Sequence, residues 1–135
     1  MNLAKPLGIL LRILAPVLVI LGIGFWSGHW VGLIPLHRTL GVVFVLALWG
    51  IAIAALATGH SRKGLAVFTI VWGVIVVALG MTQQRILVGE YHWVVRVVHL
   101  AVAIYAMYLA AVLAPAKAKQ ARMAGGVDMA ADSST

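Results

Sequence analysis

The sequence predicts an all-α protein, an integral membrane four-helix bundle, and three observations carry that expectation. Hydrophobic residues make up 64% of the 135-residue chain, against about half in an ordinary soluble domain. Charged residues are only 10% and fall mostly at the ends of apolar runs, the punctuation expected of helices crossing ~30 Å of hydrocarbon. Four such runs can be read in order, giving one transmembrane domain over residues 1–115 with spans near 7–26, 37–58, 65–81 and 92–114.

The first span follows Lys5 and Arg12 and contains Pro16, which predicts a kink, with Arg12 reaching back to its own surface. It resembles a signal peptide, but no small-x-small cleavage site follows, so it is read as retained. The connection that follows holds Gly28, Gly32 and Pro35 among Trp26 and Trp30, a composition suited to the headgroup level. Pro35 then stands near the first turn of the second span, where a missing amide proton does no harm. His37 heads a stripe through Gly41, Phe44 and Leu48. Gly59 provides a helix stop in the basic connection GHSRKG. In the third span Gly73 and Gly80 share one face and permit close approach. Pro115 ends the fourth span, and the small, polar tail over 116–135 is expected to be disordered.

Counting basic residues sets the orientation. Lys5, Arg12, Arg62, Lys63, Lys117, Lys119 and Arg122 fall on one side, against Arg38, Arg85 and Arg96 on or near the other. The bias puts both termini and the tail in the cytoplasm. It also gathers His29, His37, His92 and His99 toward the opposite face, leaving only His60 behind.

Several functions are excluded or lose ground on composition. The +7 formal charge does not indicate nucleic acid, because no basic run interleaves with aromatics. No cysteine is present, so disulfides, thiolate metal sites and cysteine nucleophiles are excluded. Glu90, Asp128 and Asp132 are the only acids; no carboxylate pair exists for acid–base hydrolysis and no acidic chain for proton pumping. Whether the chain is an enzyme stays open.

The stretch YHWVVRVVHLAVAIYAMYLAAVLA carries the most informative pattern. His92, Arg96 and His99 are spaced by four and three, so they stack on one helical face, which continues through Ala103, Ala106 and Ala110. Ionisable side chains within a span usually face a bundle interior and mark a site. Two histidines on facing helices suit a b-type haem, with His37 and His99 as iron ligands, His92 competing with His99, and Arg38 and Arg96 available to the propionates. His29, His37 and His92 converging on copper or zinc form a further alternative. Trp49, Trp72, Tyr105 and Tyr108 read as packing and anchoring, Gln83 and Gln84 as solvated with contact to a quinone headgroup as the alternative, and the methionines as apolar filler.

His37, Arg38 and Gly41 in LHRTLG, together with His99 in the fourth span, resemble the small bacterial four-helix cytochromes of the b561 type. The pattern is also similar to one half of haem A synthase. Two departures stand beside it: the first span has no histidine, and Ile34 occupies the place of a glutamate in haem A synthase. The resemblance therefore implies a single haem b in a bacterial inner membrane, with electron transfer to a quinone or a partner protein. The alternative is a cofactor-free accessory subunit that packs its Gly- and Ala-rich faces in a larger respiratory or photosynthetic complex, or as an oligomer, and holds anionic lipid with its basic collar.

Overall fold

A computed structural model describes residues 4–57 and 62–113. Among these, four α-helices follow one another: α1 (Ala4–Trp26), α2 (Ile34–Ala57), α3 (Lys63–Thr82) and α4 (His92–Leu113). Short 3-10 turns precede α2, at Val31–Leu33, and follow α3, at Gln83–Arg85. At 1.5 Å per residue these helices are roughly 30 to 36 Å long. All four are long and apolar enough to cross a membrane.

Boundaries differ from the expected spans mainly at the starts. α1 begins at Ala4, α2 at Ile34 and α3 at Lys63, so Lys5, His37 and Lys63 are helical. Hydrophobicity marks where a helix meets hydrocarbon, whereas the backbone continues its hydrogen bonds beyond that limit. The helix runs through Pro16 without a break. Gly59, His60 and the 116–135 tail lie outside the described residues.

Short connections make the helices antiparallel neighbours in an up-and-down order. One end of the bundle therefore carries the start of α1 and the finish of α4, and the other carries His29, His37, His92 and His99. α2 packs most extensively, against α1 and α3 and also α4, while α1 and α4 meet less closely. The core joins Leu11, Leu14 and Leu18 of α1 to Phe44, Val45, Leu48 and Ile51 of α2, with Ala106 and Ala110 of α4 completing it. Large apolar side chains such as Ile13, Ile20, Ile53, Val74 and Ile104 point outward, the reverse of a water-facing surface.

Tryptophans tie the helices laterally. Trp49 Nε1 donates to the Ile70 carbonyl at 3.0 Å, and Trp72 Nε1 donates to the Val102 carbonyl at 3.0 Å. The packing role expected of both is thereby specific, because each partly buries its indole and still satisfies its N–H. Gly73 is required at the first of these contacts: a methyl group there would overlap the Trp49 indole.

Candidate functional site: a two-histidine cavity

At the histidine end the bundle opens into a cavity of about 280 Å³. Its wall takes one stripe from each helix, because residues three or four apart share a helical face. Val19, Gly22 and Trp26 come from α1, and His37, Gly41 and Phe44 from α2. Val76, Val77 and Gly80 come from α3, and α4 supplies His92, Arg96, His99, Ala103 and Ala106. The α4 stripe read from spacing thus faces one cavity along five successive positions, and its next member, Ala110, is buried below.

His37 and His99 approach each other across this space, with ring centres 6.5 Å apart and planes inclined at 58°. Each is partly buried. The Nδ1 atoms of both are buried without a hydrogen-bond partner. A buried polar nitrogen left unpaired costs roughly 1–3 kcal/mol, so these two are the hydrogen-bonding or ligating capacity that a water or a bound group in the cavity would take up.

Small residues and one edge-on ring shape the space beside the pair. A methyl on Gly80 would lie 3.4 Å from His99 Cε1, and one on Gly22 would lie 4.0 Å from His37 Cε1. The Phe25 ring meets His37 edge-on, with centres 5.3 Å apart.

The other candidates separate by their contacts. His92 lines the cavity, but its Nδ1 lies 3.2 Å from the Ile86 carbonyl, in position to donate to it and hold the loop before α4. Arg38 donates to Gln84 Oε1 at 2.7 Å, clasping the start of α2 to the turn after α3. Arg96 lines the cavity with no hydrogen-bonding or ionic partner among the described residues. Gln83 and Gln84, expected to be solvated, both line the cavity. Their inclusion had no sequence signal beyond their polarity.

The copper or zinc alternative is corrected. His29 is absent from the cavity wall and its Nδ1 lies 3.1 Å from Ser27 Oγ. Among the described residues no group of three or more His, Cys, Asp or Glu side chains converges to hold a metal ion. The reason is local: Gly28 at φ +77 and Trp30 at φ +57 turn the chain in the left-handed region, and the Trp30 ring folds onto Gly24, where a methyl would come within 2.5 Å of it. Through this turn His29 does not join His37 and His92 in the cavity wall.

The fold and site together define a class: an all-helical bundle of four apolar helices with a two-histidine cavity at one end. Comparison with known proteins finds no matching family model, no matching curated protein and no matching solved structure.

Proposed function

We propose that this chain is an integral membrane protein that binds one haem b in the two-histidine cavity and passes electrons through it. His37 and His99 hold the iron, and Arg38 and Arg96 meet the propionates. The observation that supports this reading is the imidazole pair itself. Held on facing helices, the two side chains would supply neutral imidazole nitrogens to a haem iron between them. The pair measures 6.5 Å, and its buried Nδ1 atoms have no competing partners.

Haem supplies reversible one-electron chemistry when bound. The chain's own residues do the rest. Leu18, Phe44 and Met107 present apolar surface to the cavity, which limits water and favours a flat apolar ligand. Arg96 offers an unpaired guanidinium one turn from His99, suited to a carboxylate. The basic bias favours an orientation with both termini in the cytoplasm and the site toward the far face, and the b561-type resemblance implies a bacterial inner membrane. Electron partners are a membrane quinone, another protein, or a larger complex that includes this subunit.

An absorption spectrum of the detergent-purified protein, oxidised and then reduced with dithionite, tests the proposal. A Soret band with sharp reduced α and β bands is expected. A featureless spectrum from folded protein made in haem-sufficient cells overturns it.

A second reading, the cofactor-free accessory subunit, draws on a different face. Phe68, Trp72, Tyr105 and Tyr108 form a continuous ring cluster along α3 and α4, with successive centres 4.8 to 5.8 Å apart. Phe68, Tyr105 and Tyr108 are exposed, and the two phenols have no hydrogen-bond partner among the described residues. A neighbouring protein helix would satisfy them. Co-purification of a stoichiometric partner by colourless protein is the outcome this reading expects.

A further inference from the structure

A second groove lies between α1 and α4 at the end of the bundle that carries the start of α1. It encloses about 130 Å³ and is walled by Gly8, Arg12 and Ala15 of α1 and by Met107, Ala110 and Ala111 of α4. Phe44 and Met107 line both this groove and the histidine cavity. These two residues are thus common to both hollows, although Leu11, Leu14, Ala106 and Ala110 between them are buried in the core. Small residues hold the groove open, with Gly8 and Ala15 on one side facing Ala110 and Ala111 on the other.

One charge faces this groove. Arg12 lies eight residues into α1, roughly 12 Å along the helix axis. It has no hydrogen-bonding or ionic partner among the described residues. Lys5, seven residues earlier, shares its helical face and is likewise unpaired and exposed. Glu90, the one acid among the described residues, stands before α4 at the opposite end of the bundle. Pro16 adds a polar group nearby, because proline withholds the amide that would close on the Arg12 carbonyl.

We propose that this groove is a binding site for an anionic phospholipid. Its phosphate lies on Arg12, with Lys5 about two turns nearer the helix start, and one acyl chain runs along the groove toward Phe44 and Met107. Charge selects the occupant: one cation in the wall of an apolar groove, with a second exposed on the same helical face toward the start of α1 and no carboxylate near either among the described residues, matches an anionic headgroup joined to a hydrocarbon chain. A zwitterionic lipid offers the same chain without net charge. This site shares no polar residue with the haem site and stands or falls separately from it.

Native mass spectrometry of the full chain, reconstituted with equal phosphatidylglycerol and phosphatidylcholine and then released into detergent, tests the assignment. One phosphatidylglycerol per chain is expected to remain in preference to phosphatidylcholine. Arg12→Gln should reduce its retention about fivefold, while Arg12→Lys, which keeps a point charge, stays within about twofold of the parent. Ala111→Phe keeps Arg12 but fills the groove, and should also reduce retention. Arg85→Gln, a charge lost at the other end, should leave retention unchanged. Glycerol phosphate, which has the headgroup without the chains, should not displace the lipid.

Equal retention of the two lipids, or undiminished retention by Arg12→Gln, overturns the proposal. Displacement by glycerol phosphate would also overturn it, in favour of a soluble phosphate site. Retention of an acidic protein in place of lipid would reassign the groove to a protein partner.

Discussion

The two halves of the bundle use the same kinds of helix to opposite ends. In the middle and toward the termini, α1 and α2 interlock through Leu11, Leu14, Phe44, Val45, Leu48 and Ile51, and Leu48 is 0% exposed. Toward the histidine end the same two helices present Gly22 and Gly41, and the space goes to the imidazole pair instead. Close packing holds the lower half with no polar requirement. The upper half gives up that packing and keeps two buried nitrogens unpaired, the kind of local departure from close packing that functional sites show.

Substitutions can break this contrast. The largest effect is expected from His37→Ala and His99→Ala, each reducing bound haem about tenfold or more while circular dichroism stays helical. His92→Ala should retain most of the haem, because its ring contacts the Ile86 carbonyl and is not part of the facing pair; reduced-minus-oxidised spectra distinguish the three.

In the lower half Leu48→Ala should cost about 2–4 kcal/mol by opening a void in the tightest part of the core, read as a lower thermal midpoint. Gly73→Ala, which pushes a methyl against the Trp49 indole, should cost about 1–3 kcal/mol by overpacking. Its haem spectrum should be unchanged, since Trp49 is remote from the histidines' cavity wall.

The smallest effect sharpens the boundary between halves. Arg38→Gln removes the clasp to Gln84 and should cost about 1 kcal/mol. A double-mutant cycle with Gln84→Ala isolates that coupling in the ligand-free protein. With haem bound, a larger loss for Arg38→Gln than for Gln84→Ala would mark the guanidinium as a propionate partner.

Much of the helix layout was legible in the sequence because the governing forces are local. Long apolar runs, Pro35 in a first turn and the four-and-three spacing of His92, Arg96 and His99 each express helix geometry that a one-dimensional pattern records. The boundaries were shifted by three or fewer residues at each described helix end, since hydropathy does not see the backbone bonds that extend α1 to Ala4 and α2 to Ile34. The candidate pair was legible as two histidines on separate helices, yet their separation was not. It depends on how α2 and α4 approach, and that is set by side-chain fit along the whole core.

Gln84 is exposed, as a solvated residue would be, but its partner was not legible, for the same reason. Nothing in TQQRILVGE announces that one glutamine accepts from an arginine 46 positions earlier. His29 looked equivalent to His37 and His92, yet within the left-handed turn of Gly28 and Trp30 it does not join them in the cavity wall.

Sequence alone thus dictated the number of helices among the described residues, their apolar character, and the faces on which His37, His99 and Arg12 stand, because each follows from composition and a 3.6-residue period. Tertiary packing decided which faces meet. It brought the two imidazoles within 6.5 Å, set Gly80 beside His99 and Gly73 beneath Trp49, and left the α1–α4 seam open beside Arg12. Such contacts depend on side-chain volumes from helices far apart in the chain, and no local period encodes them.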